Sequence, residues 1–159
     1  MGDEYRYREI FAPDCGALLD IYVLEITPIH WQVLLDFLSA KYELVYLEDG
    51  VEETLPDFAT IWKRHNEKAV TLKVVLPGFT VNSHFFLEHD IELDLLPEDI
   101  DSFEKAKAVF ELIRGIARQL HKEVLLVGET SITDPEELRR MATCSCDPTT
   151  GAIRILPGK

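Results

Sequence analysis

The chain has 159 residues, with 16 Lys and Arg against 29 Asp and Glu, a formal net charge of −13 and a hydrophobic content of 47%. That length suits a single domain, 1–159, able to bury roughly 70% of its unfolded surface, and the apolar content excludes wholesale disorder and collagen-like classes. With a pI near 4.7, the surface repels nucleic acid and anionic membrane, so neither is expected as a partner.

The first residues, Met1-Gly2-Asp3-Glu4-Tyr5-Arg6-Tyr7-Arg8, hold no apolar core of the kind a secretory signal needs, and 1–10 reads as a loosely ordered arm or an edge strand. The segment 18–26 is rich in β-branched and aromatic residues and predicts a strand. Thr27 and Pro28 then suit the N-cap and first position of a helix reaching about Ser39, with Trp31, Leu34, Leu35 and Leu38 on one face. Leu44-Val45-Tyr46-Leu47 is a second strand, closed by the Asp49-Gly50 turn pair. The acidic stretch 51–54 reads as loop.

Asp57 predicts the cap of a short helix with Phe58, Ile61, Trp62 and His65 on one side. Trp62 is followed by Lys63-Arg64-His65, which is either a helix end with one buried ring or a recognition patch. Strands at 69–76 and from Phe79 onward, joined by Pro77-Gly78, make a hairpin. The run 83–95 is one long bent strand or two shorter ones.

Asp101-Ser102-Phe103-Glu104 resembles a capping box and opens the clearest helix, 102–120. Its inner stripe is Ala106, Phe110, Ile113, Ala117 and Leu120, widened by Val109, Leu112 and Ile116. Gly115 in mid-helix costs about 1 kcal/mol against alanine and implies close approach to a sheet. A strand at 123–127, a short helix capped by Thr133 or Asp134 and running to Arg140, and a hairpin of 141–146 with 153–156 complete the chain. The expected class is α+β: a mixed, mainly antiparallel sheet with helices packed on one face.

From Glu88 to Glu104 stand eight carboxylates with no Lys or Arg among them. Within that run, His89-Asp90-Ile91-Glu92-Leu93-Asp94-Leu95 alternates strictly. A strand therefore puts Asp90, Glu92 and Asp94 on one face and Ile91, Leu93 and Leu95 on the other. The plain reading is a solvated sheet face relieved by Lys73 or another base on a neighbouring strand. The sharper one is a docking ridge formed by Glu88, Asp90, Glu92 and Asp94 for a basic protein partner. A divalent-cation site is the third.

His84 and His89, beside Glu88 and Asp90, are the histidines close enough in sequence to suggest a metal. On an unbroken strand they face opposite ways, an objection that a turn near Glu88 would reverse. Cys144-Ser145-Cys146 places two thiols on one side of a strand without a second cysteine pair for zinc. Three cysteines in all, Cys15 included, fit reduced thiols in a cytoplasmic protein.

The G-x-S-x-G, G-x-x-x-x-G-K-[ST], G-x-G-x-x-G and H-E-x-x-H signatures are absent. In size and charge, with no shared motif, the chain resembles bacterial immunity proteins that neutralise basic toxins. That resemblance implies a non-enzymatic, immunity-like or adaptor-like protein, with no cofactor and a basic macromolecular partner. The alternative is a small metal-dependent or acid/base enzyme using His84, Glu88 and His89. A homo-oligomer is compatible with either.

Overall fold

A computed structural model of the chain describes residues 3–12 and 17–156. Its centre is a nine-stranded sheet, in the order β3-β2-β4-β5-β6-β1-β7-β8-β9. The strands are β1 (Leu19–Val23), β2 (Glu43–Glu48), β3 (Val51–Glu53), β4 (Val70–Leu76), β5 (Phe79–Ser83), β6 (Ile91–Leu95), β7 (Val124–Gly128), β8 (Cys144–Cys146) and β9 (Ile153–Ile155). Every pairing is antiparallel. The class is α+β, as expected, and the sheet is wholly rather than mainly antiparallel.

Among the described residues five α-helices accompany it: α1 (Tyr7–Ile10), α2 (Pro28–Lys41), α3 (Phe58–Arg64), α4 (Phe103–Leu120) and α5 (Pro135–Met141). Helix α2 starts where proline can occupy the first turn, and its N-terminus is closed by the Thr27 backbone N–H donating to His30 Nδ1 at 3.0 Å. Ser102, not Asp101, caps α4, its hydroxyl accepting from the Lys105 N–H at 3.2 Å. Asp57 and Asp134 cap α3 and α5 through the N–H groups of Thr60 and Glu137.

Trp31, Leu34, Leu35 and Leu38 of α2 and the predicted stripe of α4 are buried against one sheet face, supplied by Ile21, Val23, Leu72, Val74, Val81, Ile91, Leu93 and Leu126. Each such aliphatic side chain contributes about 1.5–3 kcal/mol when removed from water. Helix α5 differs from the expectation of helices on one face. Leu138, with Ala142 just beyond the helix, packs on Tyr22, Leu24, Leu125 and Val127, which point to the opposite side of the sheet. The helices thus cover one face broadly and the other only over β1 and β7.

Other departures have local causes. Residues 51–53 pair with β2 because Asp49 (φ 50) and Gly50 (φ 80) both adopt the left-handed conformations that a two-residue hairpin needs. The run 83–95 is two strands, linked by 84–90, in which Phe85 (φ 55) turns its ring into the core beside Trp31 and Phe58. The arm expected at 1–10 is helical over Asp3–Ile10. Tyr5 and Tyr7 lie against Phe103, Ile10 and Phe11 are buried, and Glu4 pairs with Arg114 of α4.

Gly115 faces a helix instead of a sheet. A methyl built there overlaps the Phe37 ring of α2, so the missing side chain is what lets the two helices touch. Gly115→Ala should therefore lower stability by about 1–3 kcal/mol through overpacking, in spite of alanine's better helix propensity. Urea denaturation of the variant checks this, and a gain in stability would contradict it.

Candidate functional site

The helix-free part of the second sheet face is built by the period-two alternation of β1, β4, β5 and β6. Ile91, Leu93 and Leu95 enter the core, so Glu92 and Asp94 emerge on the other side, as the sequence predicts. Antiparallel register sets Asp94 between Asn82 of β5 and Asp20 of β1, and sets Glu92 opposite Tyr22. Directly opposed residues have side chains about 5 Å apart. Three acids, Asp20, Glu92 and Asp94, thus stand together. Only two of them were visible in the acidic run.

Asp20 is 3% exposed and Asp94 9% exposed. The Asp20 carboxyl has no hydrogen bond or ion pair among the described residues. Burial first, then the neighbouring charges of Glu92, Asp94 and Glu129, push its pKa up to about 7. Glu92 is raised in the same way, by burial and then by Asp94. Tyr22, between them, is driven upward by burial and by the Glu92 charge. Asp94 is steadied by His84, whose Nε2 lies 3.3 Å from its Oδ2. That hydrogen bond outweighs burial and raises the imidazole pKa. The other ring nitrogen of His84 is 3.3 Å from the Thr71 hydroxyl, and its ring stacks on the exposed Phe86.

Glu48 on β2 shows how a buried carboxylate is satisfied elsewhere in the same fold. It is 6% exposed, and it accepts from Arg64 at 2.6 Å, from the Tyr46 hydroxyl at 2.9 Å and from Lys68 at 3.4 Å. Those donors, Arg64 foremost, hold its pKa below the usual carboxylate range. Arg64, from the basic run after Trp62, is used here, while Trp62 itself stacks on Phe58 and His65. No Lys or Arg among the described residues forms an ion pair with Glu88, Asp90, Glu92 or Asp94. Lys73 lies in the same cross-strand row, beyond Asn82.

The remaining predicted residues sit at the edge. The Asp90 carboxylate accepts from the backbone N–H of Glu25 at 2.8 Å, tying the 84–90 link to the end of β1. Glu88 accepts from Trp31 Nε1 through its carbonyl at 3.2 Å and meets His89 through its side chain at 3.5 Å. His84 turns to Asp94 and His89 to Glu88, so these residues are not gathered round one point. Among the described residues no three His, Cys, Asp or Glu are placed to hold a metal ion.

No protein-family model, curated protein or solved structure matches the chain. Its function must be argued from the site. Cys144 and Cys146 are buried, and burial pushes the Cys146 thiol up to about 11, which leaves it unreactive. Cys15 lies outside the described residues. Among the described residues no helix is long and apolar enough to cross a membrane.

The acid group makes stability depend on pH in one direction. Asp20 binds its proton more tightly folded than unfolded, where a carboxyl titrates near pH 4. Stability therefore falls as pH rises from about 4 to about 7. The His84–Asp94 contact adds stability that is full below about pH 6.5 and is lost as pH rises through the raised imidazole value. Asp20→Asn keeps the neutral shape and should raise stability at pH 8 by about 1–3 kcal/mol while flattening the slope between pH 4 and 7. Thermal melts across that range, on both proteins, check the sign.

Proposed function

We propose that this chain is a non-enzymatic interaction protein that binds a basic protein partner through the helix-free face of its sheet. Asp20, Glu92 and Asp94 form the centre of the contact and Glu88 and Asp90 its rim. One observation carries this: three acids share a partly dry face, without an internal lysine or arginine pair among the described residues. Elsewhere, at Glu48, the same fold supplies two such cations.

Two carboxylates about 5 Å apart repel by about 3 kcal/mol at an effective dielectric of 20. A proton relieves that cost in the free protein. A cation carried by a partner relieves it in a complex, and its approach is accelerated by a net charge of −13. The buried, free thiol of Cys146 suits a reducing, cytoplasmic setting.

The experiment is capture of partners by the wild type, followed by association kinetics of each retained protein with the wild type and with Glu88→Gln/Glu92→Gln. The on-rate at low salt should fall about tenfold in the double variant, with a flatter salt dependence. An unchanged on-rate and salt slope would rule out this face as the contact.

A further inference from the structure

We infer that the cross-strand row Asn82–Asp94–Asp20 is a socket for the guanidinium of an arginine side chain presented by the partner. This rests on the face being a surface for a basic protein, and it names the group that enters. The first support is an unmet demand for donors. Asp20, 97% buried by its 3% exposure, has no hydrogen bond or ion pair to its carboxyl among the described residues. Asn82 Oδ1 is fully shielded and also has no hydrogen-bond partner. Two groups on either side of Asp94 therefore lack donors from the protein, and for the shielded Asn82 oxygen that is a costly state.

The second support is shape. The row crosses three neighbouring strands, each about 4.8 Å from the next. Its acids do not converge with a third ligand on one point, so a single divalent ion is a poor match. A guanidinium is flat, spreads its charge and carries five N–H donors in a fixed fork, which suits several acceptors in line. A lysine ammonium is a compact, strongly hydrated charge that serves one such site at a time. The Phe86 and His84 rings, stacked beside the row, give the arginine stem an apolar border.

Entry of the arginine displaces the Asp20 proton to solvent, so the bound state carries an ionised carboxylate against the guanidinium. The groups facing Asp20 are the Glu92, Asp94 and Glu129 carboxyls and the Tyr22 hydroxyl. His84 lies beyond Asp94, and Lys73 lies on β4 beyond Asn82. On α5, the helix packed nearest, Arg139 is engaged with Glu25 and Glu123 and Arg140 with Glu137.

The test compares two blocked peptides of equal charge, tetra-arginine and tetra-lysine, by calorimetry at low salt, with carbon-detected NMR of the Asp20 carboxyl. The arginine peptide should bind about tenfold tighter than the lysine peptide and should ionise Asp20 at pH 6. Asp20→Asn should remove that preference and weaken both peptides, whereas Asn82→Ala should remove it while leaving lysine-peptide affinity within about twofold. Equal binding of both peptides, weakened only by Glu92→Gln, would overturn the socket and leave the basic-partner surface standing. Failure of both peptides to bind would overturn the two together.

Discussion

The position of Asp20 follows from the core on the other side of the sheet. Ile21 opposite Leu93 and Val23 opposite Ile91 fix the pairing of β1 with β6 from the buried face. A slip of one residue would turn every one of those side chains to the wrong side, so the apolar residues hold the register firmly. Once they do, Asp20 has no choice but to face Asp94, and Tyr22 to face Glu92. The hydrophobic effect thus imposes an electrostatic cost that local preference would avoid, since like charges directly opposed on a sheet destabilise it.

The fold meets that cost in two ways that leave the acids chemically available. Protonation of Asp20 removes one negative charge without recruiting a side chain. His84 offers Asp94 a neutral or cationic ring, depending on pH, and not a permanent charge. Glu48, by contrast, is locked between Arg64 and Lys68 and has little left to offer an outside group. The difference between the two buried acids is one of exchangeability: a proton and an imidazole give way to an incoming cation far more readily than two pairing side chains do. Perturbed ionisation of this kind gathers at functional sites more often than elsewhere.

Much of this was readable in the residues, and the parts that were not share a physical cause. The alternation of β6, the stripe of α4 and the cap at Asp57 are local signals, and local signals decide them, although the cap of α4 falls at Ser102 and not at Asp101. Asp20 carried no such mark: it is a single acid within Leu18-Leu19-Asp20-Ile21-Tyr22, and its importance comes from a strand seventy residues later. The same holds for Asn82, which matters only through its pairing with Asp94. Gly115 was recognised as a point of close approach, but which element approached depended on tertiary packing. The break at 84–90 is not announced by the alternation around it, because Phe85 leaves the strand path to pack on Trp31 of α2 and Phe58 of α3.

Helix α5 bears on the site although none of its residues belongs to it. By covering Tyr22, Leu125 and Val127, it dries the face on one side of Asp20. On the other side, from β6 outward, the sheet lies open, and Thr71, Lys73, Asn82 and Glu92 are only half-buried. The acids therefore stand at a boundary between covered and bare sheet. A fully wet position would screen their charges to about 1 kcal/mol at contact distance, whereas a sealed one would admit no partner. At the boundary the charges are strengthened by the dry side and reachable from the wet one. That combination arises from where one short helix ends on the sheet, and it is the physical basis of the proposed preference for an arginine-bearing partner.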